Sequence, residues 1–286
     1  MIDRRIFVGG ALAAGVLMAR PAEAHDPQEA LADLEKTLGA RLGVAMRDLA
    51  SGTRIEYRAG ERFPLASTFK FLAAAAVLAE VDAGRESLDR RVRYEKADVV
   101  TYSPATGKHA GEGMTLAEIC EAAVTLSDNT AGNLMLAAIG GPAGLTGFAR
   151  SLGDEVTRLD RIETELNEAR PGDPRDTTSP AAMLGDLEKL LLGDTLSASS
   201  RERLAGWLVA NQTGDTRLRA GLPKGWRVGD KTGAGGNGTT NDIAIAWPPG
   251  GKPVLIAVYL TQCGRTMEQR NEALAEVARI LTAHSH

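Results

Sequence analysis

Residues 227–261 read RVGDKTGAGGNGTTNDIAIAWPPGGKPVLIAVYLT. Three β-branched segments, Arg227 to Lys231, Thr240 to Trp247 and Val254 to Thr261, are bounded there by glycine and proline, so the stretch predicts three strands joined by short turns. The same signature occurs near the start. Gly43 to Leu49 and Thr53 to Arg58 flank Ala50-Ser51-Gly52, which has the chemistry of a hairpin turn. Between the two strand groups the period becomes helical. From Ser67, residues Phe69, Leu72, Ala73, Ala76, Val77 and Glu80 run up to a stop at Gly84. Further helices are expected over Leu116 to Leu126, Thr130 to Ile139, Gly144 to Leu152, Pro180 to Leu192 and Ser200 to Ala210. Pro27 to Leu38 and the amphipathic Met267 to Thr282 add one helix near each end. Strands at both ends with helices between them predict an α+β fold. Both chain ends build one antiparallel sheet of about five strands with flanking helices. An all-α portion is inserted, and a site is expected in the cleft between the two parts.

The expected division is 25–62 with 210–286 for the α/β portion, and 63–209 for the helical one. Arg158 to Thr178 fits neither period and is dense in Pro, Gly and charge. Long loops of that kind are more often functional than accidental. The chain has 286 residues, 43% hydrophobic and 24% charged, with a net charge of −4. That length supports a full core without disulfide staples, and the mild acidity gives no electrostatic footprint for nucleic acid. Two cysteines without a CxxC and four histidines leave little for a structural zinc site, and no cofactor is expected.

The first 24 residues read as an export signal. Arg4 and Arg5 form a positive start, Ile6 to Met18 is an apolar stretch too short to span a bilayer, and Ala22-Glu23-Ala24 supplies a small-x-small cleavage site before His25. The paired arginines are similar to a twin-arginine signal, with the general secretory route as the alternative. A bacterial protein, periplasmic or secreted and monomeric, with no membrane span in its mature form, is the expectation.

Three motifs occur once each: Ser67-Thr68-Phe69-Lys70, Ser127-Asp128-Asn129 and Lys231-Thr232-Gly233. Alone, a Ser-x-x-Lys arises about once by chance in a chain this long, and Ser67 is equally a candidate helix N-cap. Their order raises the signal. Ser67 and Lys70 share a helix face at an N-terminus, where free N–H groups and partial positive charge collect. A serine hydroxyl is a poor nucleophile until a base takes its proton, and a lysine can do so if its pKa falls. Ser127 offers a hydroxyl and Asn129 an amide. Lys231 brings charge, and Ala234 brings a strand-edge N–H. Together they form a convergent acyl-transfer site.

This constellation resembles the serine β-lactamases and penicillin-binding proteins. Glu163-Thr164-Glu165-Leu166-Asn167 in the irregular loop is similar to the Glu-x-x-Leu-Asn element of the class A β-lactamases. Arg161 and Asp176 stand where that family closes its Ω-loop, here about 158–176, with an ion pair. Tyr102-Ser103-Pro104, Asp176-Thr177-Thr178 and Gly238-Thr239-Thr240-Asn241-Asp242 also keep family order, so the resemblance covers essentially the whole chain after His25.

The resemblance implies that Ser67 attacks a β-lactam carbonyl and that the N–H groups of Ser67 and Ala234 hold the oxyanion. It leaves Lys70 and Glu163 as competing acylation bases. Ser127 would pass a proton to the leaving nitrogen, and Glu163 with Asn167 would place the deacylating water. It assigns Asn129 to the substrate amide, Lys231 and Thr232 to its carboxylate, and Tyr102 to the rim. Many members carry an arginine at the position of Thr240; Arg217 occupies an alternative family position, against the reading of an exposed surface arginine. Penicillins and cephalosporins are the implied substrates, with β-lactam resistance as the consequence. A D-alanyl-D-alanine carboxypeptidase or a non-hydrolytic penicillin sensor are the alternatives.

Other residues carry plainer expectations. Glu165 is a neighbour without a direct role, Asp128 bonds nearby backbone, His109 is surface or packing, and His284 and His286 bind metal only incidentally. Cys120 lies on an apolar helix stripe as a core thiol. Family bridges to the positions of Ala74, Thr68 or Gly235 are impossible here, and a Cys120–Cys263 bond stays open, though a helical core and a far strand end argue against it.

Overall fold

The computed structural model describes residues 26–283. The proposed leader, His25, His284 and His286 lie outside them. The chain starts with α1 (Pro27–Leu38) and the strands β1 (Arg41–Asp48), β2 (Arg54–Tyr57) and β3 (Phe63–Pro64). A helical stretch follows: α2 (Phe69–Asp82), the short strands β4 (Arg91–Val92) and β5 (Met114–Thr115), then α3 (Leu116–Thr125), α4 (Asn129–Ala138) and α5 (Gly141–Ser151). After β6 (Thr177–Thr178) come α6 (Pro180–Leu191), α7 (Ala198–Val209) and α8 (Leu218–Gly221). The chain closes with β7 (Arg227–Gly235), β8 (Thr239–Trp247), β9 (Val254–Thr261) and α9 (Met267–Thr282).

The main sheet has five strands in the order β2-β1-β9-β8-β7, antiparallel throughout. The fold is therefore α+β, with both ends of the chain in one sheet. β9 is buried at all eight positions, which is why VLIAVYLT carries no polar alternation: both of its faces are covered. Its side chains still alternate. Leu255, Ala257 and Tyr259 enter the core shared with α2, α3, α6 and α7, whereas Val254, Ile256, Val258 and Leu260 enter a second core with Leu31, Leu218, Leu274 and Leu281. The sheet is thus the middle layer between the helical body and the α1/α8/α9 layer.

Helix α2 is buried at ten consecutive positions, Phe69 to Leu78, so its periodic stripe understates its environment. A helix apolar all round belongs in a core, and its four successive alanines, Ala73 to Ala76, let neighbours approach closely. The alternative reading of Ser67 as an N-cap does not hold: it lies inside a 3-10 turn (Ala66–Thr68) that precedes α2, and no side chain caps either element. Its hydroxyl is instead engaged by Lys70, which frees it from backbone duty.

The irregular segment is tied at both ends. Phe63 pairs with Thr178 and Arg158 bridges to Thr177, while Leu159 and Leu166 are buried in the helical core. It is a packed loop with its own anchors, as compact Ω-loops are.

Candidate active site

The three motifs and the loop converge on one point. Lys70 Nζ lies 2.9 Å from Ser67 Oγ, 2.9 Å from the Ser127 carbonyl and 2.7 Å from Asn129 Oδ1. Glu163 Oε1 is 2.9 Å from Lys70 Nζ and 3.5 Å from Ser67 Oγ, and the side chains of this ion pair are fully buried. Asn167 Nδ2 donates to the other Glu163 oxygen at 2.5 Å, and its own Oδ1 is buried without a protein partner. On the far side, Lys231 Nζ donates to Ser127 Oγ at 3.0 Å. Serine, lysine, serine and lysine therefore form one connected polar chain, with the carboxylate and amide of the loop on one flank.

Local backbone conformation makes this convergence possible. Ala66, Ser127 and Tyr102 all have positive φ, at 42°, 59° and 62°. Such values are costly for residues with a Cβ and persist where surrounding structure holds them, commonly at functional sites. Around Ser127 it is Asp128 that provides the hold. It caps α4 through Ala131 N at 2.9 Å and accepts from Ala105 N, Thr106 N and Thr106 Oγ1, fixing the turn that presents Ser127 and Asn129. The backbone-bonding role expected of Asp128 is therefore observed. Gly132 lets α4 lie against the lysine, since a Cβ there would stand 2.8 Å from Lys70 Cε.

The Ω-loop is clamped as the Arg161 and Asp176 positions suggested. Arg161 Nε meets Asp176 Oδ2 at 2.6 Å, and Asp176 Oδ1 accepts the N–H groups of Asp160 and Arg161 at 2.8 and 2.9 Å. Asn133, unnoticed in the sequence, holds the loop from the opposite side: its Oδ1 accepts Glu163 N–H at 2.8 Å and its Nδ2 donates to Glu163 O at 3.0 Å. Its position four residues after Asn129, on the same face of α4, was the available signal.

The edge strand β7 forms the other wall. A Cβ on Gly233 would stand a tight 3.1 Å from Leu65 O, so this strand end lies against the turn that carries Ser67. Asn241 secures the junction, donating to Pro64 O and Leu65 O at 2.8 and 3.1 Å. Ala234 follows, on the outer edge of the sheet. Arg217 is buried, contrary to a surface reading. It donates to Gly233 O and Asn241 O at 2.8 and 2.7 Å and to Asn271 Oδ1 at 3.0 Å. Ser67, Tyr102, Ser127, Asn129, Asn167, Thr213, Arg217, Thr232, Gly233 and Ala234 line one cleft of about 300 Å³. A larger groove of about 990 Å³, between α1 and α9 with Asp215 and Thr216 on its wall, contains none of the motif residues.

Burial tunes the cations. Desolvation lowers the Lys70 pKa against the opposing pull of Glu163. Lys231 is held well below the ordinary lysine value, by burial first and by the nearby Lys70 charge second. Burial likewise lowers Arg217. A site whose cations are costly to keep charged is one in which an incoming anion is strongly favoured.

The remaining candidates sit elsewhere. Glu165 is exposed; His109 is exposed, 4.0 Å from Glu112. Cys120 and Cys263 are both buried and free, so no bond joins them. Among the described residues no group of His, Cys, Asp and Glu side chains is placed to hold a metal ion, and no helix is long and apolar enough to cross a membrane.

A buried serine bonded to a lysine, beside a carboxylate–amide pair and a strand edge, defines a serine hydrolase that works through an acyl-enzyme. The particular family follows from comparison. A family model described as the β-lactamase enzyme family matches residues 26–285. β-Lactamase AST-1 of Nocardia asteroides is 52% identical over 256 residues, covering 90% of this chain and 82% of the relative. β-Lactamase Toho-1 of Escherichia coli is 50% identical over 261 residues, covering 91% and 90%. The solved structure of an ancestral (GNCA) class A β-lactamase superposes with a TM-score of 0.89 at 64% identity, covering 90% of this chain and 99% of that one. The chain belongs to the β-lactamase enzyme family, as a class A serine β-lactamase.

Proposed function

We propose that the protein hydrolyses the β-lactam ring of penicillins and cephalosporins through an acyl-enzyme on Ser67, and so confers β-lactam resistance. The observation that carries this reading is the Glu163–Asn167 pair, bonded at 2.5 Å and held beside Ser67 by the clamped loop. The unpartnered Asn167 Oδ1 and the Glu163 carboxylate supply the two acceptors that a hydrolytic water needs.

Ser67 Oγ attacks the lactam carbonyl, and the N–H groups of Ser67 and Ala234 receive the oxyanion. The serine proton goes to Glu163 through a water, or to Lys70, 2.9 Å away, when the lysine is in its neutral form, its own proton having passed to Glu163. Ser127, whose hydroxyl accepts from Lys231 and whose carbonyl accepts from Lys70, passes its hydroxyl proton to the departing ring nitrogen. Asn129 binds the side-chain amide, Lys231, Thr232 and Arg217 draw in the carboxylate, and Tyr102, 59% exposed, packs at the rim. Water activated by Glu163 then cleaves the ester. This chemistry needs no cofactor. The same reading takes residues 1–24 as an export signal, twin-arginine in type, delivering a bacterial monomer to the periplasm or medium; nucleic acid and membranes are not its partners. It divides the mature chain into 25–62 with 210–286 and 63–209, with the site at their junction.

The test is turnover of a chromogenic cephalosporin by wild type and Glu163→Ala, with mass spectrometry of the protein. Wild-type turnover with an acyl adduct trapped on the variant is expected. Stoichiometric acylation without turnover in the wild type would assign the chain to the penicillin-binding or sensing alternatives.

A further inference from the structure

A line of hydrogen bonds leaves the cleft through its floor. Thr232 Oγ1 is 2.5 Å from Thr213 Oγ1; Thr213 Oγ1 reaches Asn211 Oδ1 at 2.8 Å; Asn211 Nδ2 donates to Asp230 Oδ2 at 2.7 Å. Three of these groups are buried polar side chains, and Thr213 itself lines the cleft beside Thr232 and Arg217. The directions can be assigned. Thr213 N–H also points at the Asn211 side chain, at 3.1 Å, so the atom facing it must be the amide oxygen. The Thr213 hydroxyl then gives its proton to Asn211, and Thr232 is the donor in the contact between the two hydroxyls. In the resting enzyme the Thr232 proton therefore points at Thr213, away from an incoming anion.

We propose that Thr213, held by Asn211, is a positioning residue for the substrate carboxylate: when the anion arrives the hydroxyl chain reverses, Thr213 donating to Thr232 and Thr232 donating to the carboxylate. Reversal leaves no group stranded. Asn211 Oδ1 keeps the Thr213 N–H, and Thr232 keeps an acceptor contact while its own proton is presented to the charge. Aligned hydroxyls polarise one another, so the donor reaching the anion is stronger than an isolated threonine. Asp230 anchors the far end and is itself held by Arg219 at 2.5 Å. Bare space would not serve as well. With valine at 213 the Thr232 hydroxyl would lose its resting acceptor, and no hydroxyl would stand beside it to donate once the anion binds.

This inference rests on the β-lactam reading, and the experiment separates the two. Steady-state kinetics would be measured for wild type, Thr213→Val, Thr213→Ser and Thr232→Val, each with a penicillin and with its methyl ester. Turnover by the wild type tests the reading itself. For Thr213→Val, KM for the free acid is expected to rise about fivefold to tenfold with kcat within twofold, KM for the ester to stay unchanged, and Thr213→Ser to restore the wild-type value. The Thr213→Val/Thr232→Val double variant should be no worse than Thr232→Val alone, because Thr213 acts through Thr232. An unchanged or lowered KM for the acid in Thr213→Val, an equal loss with the ester, or additive effects in the double variant would overturn the proposal.

Discussion

Replacing Asp176 by asparagine should unlatch the Ω-loop while leaving the nucleophile intact. Asp176 is 1% exposed and accepts three hydrogen bonds from the loop's entry, one of them the 2.6 Å contact with Arg161 Nε. Asparagine keeps an oxygen for the Asp160 and Arg161 N–H groups, yet it turns a neutral amide toward the guanidinium. Breaking a buried ion pair by removing one partner costs about 3–5 kcal/mol. Arg161 retains Glu168 at 2.7 Å and is partly exposed, so the lower end, about 3 kcal/mol, applies. At 1.4 kcal/mol per decade this moves the closed-to-open balance of the loop by about a hundredfold. Hydrogen exchange of the loop amides, Asp160 and Arg161 among them, measures that opening directly, and stopped-flow kinetics with a chromogenic cephalosporin reads its consequence. Exchange should accelerate by about two decades. The acylation burst should persist within a few-fold, while steady-state turnover falls and acyl-enzyme accumulates. Unchanged protection in the loop, or burst and turnover falling in equal proportion, would refute the argument that the clamp serves deacylation.

Two further expectations concern groups outside the cleft. Asp186 on α6 has its pKa pushed up to about 9, by desolvation first and then by Asp154, and a carboxylate oxygen of each is buried without a donor. The proton that Asp186 keeps there is a donor in a place that otherwise lacks one. The native state thus holds a proton that the unfolded chain releases above its ordinary carboxylate value, so this pair's contribution falls as pH rises from about 4 toward 9. Asp186→Asn, whose amide can donate permanently, should flatten the decline of Tm between pH 6 and 9; parallel curves would contradict it. Cys120, fully buried with its thiol pKa raised by desolvation, and Cys263, 4% exposed, should both resist a thiol reagent in the native protein. Titration should find two reactive thiols only after denaturation, and a fast-reacting native thiol would count against the burial described.

Much of this molecule could be read from its residues, because local chemistry wrote it. Helix α1, strand β9 and helix α9 begin and end where the sequence placed them, since Pro27, Val254 and Thr266 mark their starts and apolar period fills them. The three motifs named in the sequence do meet at one site. Other features had no local signature. Ser67 lies inside the turn before α2 instead of at its capping position, and its hydroxyl accepts from Lys70 at 2.9 Å. Strand β7 ran on to Gly235, beyond Lys231, held by its register with β8 through Thr239. Asn133, Thr213 and Asn211 are common polar residues of helices and loops, and only packing decides whether such an amide or hydroxyl faces water or a protein partner.

By itself the sequence determined the two strand groups and the helical stretch between them, through side-chain periodicity, and it supplied the serine, the lysines and the loop carboxylate as candidates, through the likeness of their motifs to the class A family. Tertiary structure alone decided that Arg217 is buried and bonded to Gly233 and Asn241, that Gly132 makes room for Lys70, and that a hydroxyl chain runs from Thr232 to Asp230. Each depends on contacts between segments remote in sequence, whose geometry is set by close packing of the sheet between its two helical layers.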